Sequence, residues 1–241
     1  MQIIPIHIQK EIEFGDNISE LITDSFEFQE NDIIVIAQKI ISKQEGRIID
    51  LSSISPSLLA RGISSQYQKN PQIVELILSE SKKIVRMAKG ILIVETKNGF
   101  ICANAGIDES NVKNGFATLL PKDSDESAER MRNDLLKISG CNVSVIISDT
   151  FGRPFRMGQT NCAIGISGLQ PILDYAGTND SFGNVLRVTA IAIADEICGA
   201  AELVMGKTLK CPVVVIRDYE HQHKFSSIRD LIRIESEDLF R

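Results

Sequence analysis

With 241 residues, 43% of them hydrophobic and 24% charged, the chain is long enough for one sizeable core and needs no staples to hold it. A formal net charge of −6 argues against nucleic acid or an anionic membrane surface as a partner, so an anionic ligand must be met by local basic groups. No apolar run approaches the roughly 18 residues of a membrane span, and five scattered cysteines with no C-x-x-C pair and no secretory leader point to a reduced, cytoplasmic protein.

In chain order, residues 3–8 read as a first strand, and Asn17 with Glu20 in capping-box spacing opens a short helix. Residues 33–37 are a second buried strand. In 38–47, Lys39, Lys43 and Arg47 alternate with apolar residues: Lys43 is a candidate point charge for a phosphate, and the alternative is the solvated face of an edge strand. Ser55-Pro56 and Asn70-Pro71 each set a cap residue before a proline, predicting two helices. The second carries Ile73, Leu76, Ile77 and Ile84 at helical spacing and is expected to stop near Gly90. Asn98-Gly99, between apolar runs 91–94 and 100–102, signals a hairpin.

A polar loop follows at 104–112, with Asp108 as a candidate metal ligand and Asn111 able to donate to or accept from a ligand. Asp123 and Glu126 open a helix that Gly140 closes. Residues 143–147 then form a β-branched strand leading into Ser148-Asp149-Thr150-Phe151-Gly152-Arg153-Pro154-Phe155-Arg156. A carboxylate, a hydroxyl and two guanidinium groups at a strand's carboxyl end suit a metal–phosphate site, because hard divalent cations take carboxylate and phosphate oxygens and Arg forks match phosphate. The bland alternative is an Asp capping a turn. With Asp108 and Asp149 both just beyond β-rich segments, the two loops are expected to share a cation.

The small apolar run 163–168 suits either tight strand packing or a ligand passing near the backbone. Residues 180–184 read as a turn, and 188–205 as an apolar helix carrying Asp195, Glu196 and Glu202. Gly206-Lys207-Thr208 mimics the end of a Walker A loop, but Ala201 stands where the first glycine belongs and a helix precedes it, so it is a glycine helix cap whose Lys207 meets phosphate by another geometry. A strand follows at 213–216. His221 and His223 lack a third ligand, and 226–241 is polar and partly helical.

Taken together and in order, Ile41-Ser42-Lys43-Gln44-Glu45-Gly46-Arg47, Asn104-Ala105-Gly106-Ile107-Asp108-Glu109-Ser110-Asn111, the Ser148–Arg156 block, Ala163-Ile164-Gly165-Ile166-Ser167-Gly168 and Ala194-Asp195-Glu196-Ile197 resemble the coenzyme F-420 gamma-glutamyl ligases over nearly the whole chain. The resemblance implies an α+β fold of mixed sheets with packed helices, of the gamma-glutamyl ligase type, in an intertwined homodimer. It implies one ligase domain over residues 1–241, allowing for two structural subdomains, and no C-terminal flavin-binding domain. It further implies GTP-dependent addition of L-glutamate to the terminal carboxylate of coenzyme F420-0, with room for further gamma-linked glutamates, through an acyl phosphate. Mg²⁺ or Mn²⁺ and K⁺ are the implied cofactors.

Carried over by motif, Asp108 and Asp149 hold a first metal and Thr150 a second, while Gln38, Lys39, Lys43 and Asn111 contact the nucleotide. Gly206 and Lys207 join the nucleotide contacts, and Arg153, with Arg156, the phosphate chemistry. Residues 8–11 stand where many relatives have Gly-x-Pro, and residues 205–211 replace a glycine- and acid-rich loop of archaeal forms. Two other readings stay open: a nucleotide-dependent carboxylate–amine ligase acting on another acceptor, and a nucleotide- and metal-binding protein without turnover. No Ser/Cys triad or G-x-S-x-G elbow is present, as expected where phosphate supplies the activation.

Overall fold

In the computed structural model, which describes residues 1–239, the Ile- and Val-rich runs become strands and the capped amphipathic segments become helices. The order is β1 (Gln2–Ile6), α1 (Ile18–Thr23), β2 (Ile33–Ala37), α2 (Gln38–Gln44), β3 (Ile48–Asp50), α3 (Leu58–Tyr67), α4 (Pro71–Ser79), β4 (Ser81–Ala88) and β5 (Ile91–Thr96). Then come β6 (Ile101–Ala103), β7 (Phe116–Thr118), α5 (Ser124–Ser139), β8 (Ser144–Gly152), β9 (Gln159–Ser167), β10 (Leu173–Asp174), β11 (Ala190–Ile191), α6 (Ile193–Met205) and β12 (Val213–Arg217). The architecture is α+β with mixed sheets.

A five-stranded sheet ordered β1-β12-β2-β8-β9 carries the larger core. Its pairs are antiparallel except β2 with β8, which run parallel with Ala37 beside Ser148. Ile33, Ile34, Val35, Ile36, Val145, Ile146 and Ile147 are fully buried in it, as near-continuous apolar runs covered on both faces must be. A smaller core gathers Ala60, Val74, Ile77, Leu92 and Val94 between the α3–α4 pair and the β4-β5-β6 sheet. At the end of the large sheet away from the carboxyl ends of β2 and β8, Arg217 clasps the buried Asp32 with Nε and Nη2 at 2.9 and 2.7 Å, a planar fork on a carboxylate.

Several caps form where the sequence sets them. Asn17 accepts from Glu20 N, Asn70 caps α4 with Pro71 in its first turn, and Asp123 and Gly140 bracket α5. Other segments differ. Residues 38–44 are helical, not an edge strand, because Gln38, Ile41 and Ser42 recur at helical spacing and are buried, with Lys43 beside them. The cap of α3 is Ser57, two residues beyond Ser55 and directly after Pro56. Helix α4 ends at Ser79, and Ile84 belongs to β4, since Lys89 and Gly90 take positive φ (50° and 76°) and turn the chain into a hairpin with β5. Helix α6 starts only at Ile193, because Ala190 and Ile191 pair with β10. Strand β8 runs on to Gly152, so Asp149 and Thr150 lie within it and the hairpin loop begins at Arg153.

All five cysteines are free, and among the described residues no helix is long and apolar enough to cross a membrane. His221 and His223 pack ring against ring (4.6 Å) and bond to Ser144 and Asn31, a structural role.

Candidate functional site

Because β2 and β8 are parallel neighbours, their carboxyl ends open side by side, and the residues just past the Ala37–Ser148 pair converge. From β2 the chain passes into α2 with no loop, delivering Gln38, Lys39 and Lys43; from β8 come Asp149 and Thr150. The antiparallel strand β12 starts at the same end, Pro212 O accepting from Ala37 N at 2.8 Å, so the 206–211 turn belongs to the same rim. Ile8 N donates to Lys210 O and brings residues 8–11 there as well. Ligands in open α/β sheets bind beyond such carboxyl ends.

Asp108 is set by a strained approach. Asn104, Ala105 and Gly106 hold φ of 53°, 57° and 69°, three successive left-handed residues, of which Ala105 is buried. Such conformations cost about 1–3 kcal/mol at a non-glycine position and persist where the surroundings over-determine them. Asp108 then exchanges two backbone hydrogen bonds with Thr118, the last residue of β7. Lys39 Nζ donates to Asp108 Oδ2 (2.6 Å), Ser110 O (2.9 Å) and Ser110 Oγ (2.8 Å), while Ser110 N and Oγ both donate to the carboxylate. Burial would raise the Asp108 pKa, but the Lys39 and Ser110 hydrogen bonds outweigh it and hold the group below its usual value.

Asp149 is the opposite case. Desolvation pushes its pKa up to about 6; a hydrogen bond from the Thr150 backbone opposes this, and repulsion from Asp108 adds to it. Two carboxylates that feel each other, one held ionised and the other pushed up, form an oxygen-donor set short of positive charge. Beside Asp149, the Ser148 hydroxyl is buried with no hydrogen-bond partner among the described residues. A hard divalent cation with carboxylate ligands fits this end of the sheet. No cluster of three or more His, Cys, Asp or Glu suited to a metal occurs among the described residues, so water or substrate oxygens would complete the shell.

The other expected residues divide. Lys43 is buried, salt-bridged to Glu11 and donating to Asn111 O at 3.0 Å; Asn111 itself is exposed in a left-handed conformation (φ 54°). Gln38 is buried and structural in its bonds, Nε2 donating to Ser42 Oγ and Leu119 O. Lys207, just past the Gly206 cap of α6, donates to Thr150 Oγ1 at 2.7 Å. Arg153 is not brought to the carboxylates: its guanidinium donates to Met157 O (2.8 Å) in its own hairpin loop, and Arg156 is exposed on that loop. Arg47 pairs with Glu80, and its Nε donates to Leu120 O at 2.9 Å.

Sequence reasoning misses Glu11, Ser110, Asn161 and, as a site residue, Glu202. Asn161 falls between the Ser148–Arg156 block and the run 163–168, where the sequence assigns no element, yet the β8–β9 ladder sets it opposite Thr150, whose Oγ1 donates to Asn161 Oδ1 at 2.7 Å. A polar residue midway through a β-rich segment paired by a hairpin is the one available signal. Asp195 accepts from Ala163 N at 2.9 Å and ties α6 to β9. Burial drives the thiols of Cys102 and Cys162 up to about 12 and 11, so neither offers a thiolate nucleophile at neutral pH.

Comparison with known proteins gives one family model, described as F420-0:Gamma-glutamyl ligase, matching residues 7–218. Among curated relatives, the Coenzyme F420:L-glutamate ligase of Methanocaldococcus jannaschii is 46% identical over 226 residues, covering 93% of this chain and 90% of its own. The protein of the same name from Methanothermobacter thermautotrophicus is 46% identical over 235 residues (94% and 93% covered), and that from Methanopyrus kandleri 40% over 246 (100% and 98%).

Proposed function

Since the chain belongs to the F420-0:gamma-glutamyl ligase family and is a ligase, we propose that it joins L-glutamate to the terminal carboxylate of coenzyme F420-0, with GTP as the energy source. The observation that carries the proposal is the convergence of Asp108, Asp149, Lys39 and Lys43 at the carboxyl ends of β2 and β8. A carboxylate does not condense with an amine in water, so the γ-phosphoryl group first passes to it, giving an acyl phosphate and GDP. The glutamate amine then attacks the acyl carbon to form the C–N bond, the acyl C–O bond breaks, phosphate leaves with that oxygen and the bonding pair, and the amine loses its proton.

The first step brings two anions together. Asp108 and Asp149 would hold Mg²⁺ or Mn²⁺, which when bound would draw charge from the transferring phosphoryl group. The chain's own share is positioning and charge. Lys39 and Lys43, now neutralised by Asp108 and Glu11, are point charges that turn to phosphate oxygens. Asn111 completes the approach to the nucleotide on a loop fixed by its own carbonyl. K⁺ enters the proposal as an accessory monovalent ion.

Mass spectrometry of a reaction with purified protein, F420-0, L-glutamate, Mn²⁺ and either GTP or ATP, with and without KCl, tests this. The expected product is heavier by one or more glutamyl units in the GTP arm. Phosphate release with no mass gain would point to another acceptor carboxylate; nucleotide binding with neither would leave a binding protein.

A homodimer is part of the proposal. Phe182, Val185 and Val188 stand exposed on the segment spanning the β10–β11 ladder, Phe182 and Val188 at 89% and 91%, and apolar side chains so placed are normally covered. Light scattering is expected to give twice the chain mass, and a one-chain mass would remove the dimer.

A further inference from the structure

At Thr150 four side chains close a ring. Thr150 Oγ1 donates to Asn161 Oδ1 (2.7 Å), Asn161 Nδ2 to Glu202 Oε2 (3.0 Å), and Lys207 Nζ lies 3.0 Å from Glu202 Oε1 and 2.7 Å from Thr150 Oγ1. The directions are consistent. The threonine hydrogen is used on Asn161, so the lone pairs of its oxygen are left for the ammonium. Asn161 is 5% exposed and has both ends of its amide engaged, which fixes the ring's inner half.

A hydroxyl oxygen and a carboxylate oxygen around one point, linked to each other by the Asn161 amide, are donors that a hard cation takes. Here the point is filled by a cation that the chain supplies. What brings it there is the end of α6: Gly206 adopts φ 55° and ψ −179°, a backbone state open in practice only to glycine, and so folds Lys207 back past Glu202. Thr150 is thus poorly suited to a second divalent ion, since the Lys207 ammonium already stands against its oxygen at 2.7 Å.

We propose that the Lys207 ammonium is the resident cation between Thr150 and Glu202, which Asn161 bridges, in place of a second divalent ion, so that each chain binds one divalent ion, at Asp108 and Asp149. This rests on the metal-and-nucleotide reading above. It makes Glu202 and Asn161 positioning residues, which hold the lysine where it meets phosphate oxygens as a point charge of +1.

Counting bound Mn²⁺ tests it without any turnover. Metal-free protein is titrated with Mn²⁺ alone, and the free ion is read by electron paramagnetic resonance. Wild type is expected to bind one Mn²⁺ per chain, Lys207→Gln two and Lys207→Arg one. Thr150→Val added to Lys207→Gln should return the count to one, which ties the second ion to this ring. Two ions in wild type, or a Lys207→Gln count still at one, would overturn the proposal while leaving the ligase reading intact. No Mn²⁺ bound to wild type would overturn it together with the metal site it rests on.

Discussion

Asp149→Asn is expected to lower kcat/KM at least about 100-fold and, in the same molecule, to make the metal-free protein more stable. The loss exceeds the 10–100-fold typical of groups that only support a metal ligand, because the carboxylate itself is removed. The gain follows from the pKa. Desolvation, aided by repulsion from Asp108, raises Asp149 from 3.8 to about 6, and a shift of roughly two units is worth at most about 3 kcal/mol. Because the folded pKa lies above the unfolded one, the neutral carboxyl's contribution is fully present below about pH 4 and is lost as pH rises through about 6. At pH 7.5 without metal, wild type therefore carries the whole penalty, whereas the asparagine variant has no charge there to desolvate.

Thermal melts in EDTA should place Asp149→Asn above wild type at pH 7.5, with the gap closing at pH 4.5. Added Mn²⁺ should raise the wild-type melting temperature and leave the variant's unchanged. Wild-type activity in a folded variant would remove Asp149 from the site, and equal melts at pH 7.5 would remove the desolvation argument. A carboxylate that destabilises its own fold is the expected signature of a site built for a ligand's charge rather than for stability.

How much of this was readable in the chain depends on the range of the interaction. The runs 33–37 and 143–147 announced themselves by β-branched content, and Asn17, Asn70 and Asp123 by local capping chemistry that needs only the next few residues. Helix α2 was ambiguous because seven residues of mixed Lys, Ile and Ser fit both a period of 2 and one of 3.6; the site loops packed onto Gln38 and Lys43 decide it. The motif pair Asp108 and Asp149 was visible, and so were Lys39 and Lys43. The ring at Thr150 was not, since Lys207 lies 57 residues from Thr150 and Asn161 lies 41 from Glu202, separations at which only the assembled sheet makes neighbours. Arg153 shows the converse: its own hairpin loop supplies a nearby carbonyl acceptor, Met157 O, and the guanidinium takes that local partner.

Gly165→Ala should settle what the small apolar run 163–168 is for. A Cβ on Gly165 would lie 2.3 Å from the carbonyl oxygen of Ser124, 2.4 Å from its carbonyl carbon and 2.5 Å from its Cβ, distances that no packed methyl tolerates. Two of those atoms are backbone in the first turn of α5, and that turn is pinned to β9 by Asp125 Oδ1 accepting from Ile166 N at 2.8 Å. On the other side, Gly165 is in register with Ile147 of β8. Neither the strand nor the helix end can move alone, so the usual 1–3 kcal/mol of overpacking is a lower bound and about 3 kcal/mol or more is expected. In a chain of this size that lowers the melting temperature by about 6–12 °C. A run that lets a ligand pass would behave differently, raising KM and leaving the melt where it was. An unchanged melting temperature would thus defeat the packing argument. A large drop with KM near wild type at low temperature would make the glycine the contact that seats α5 on the sheet edge, leaving the carboxyl ends of β2 and β8 as the approach for substrate.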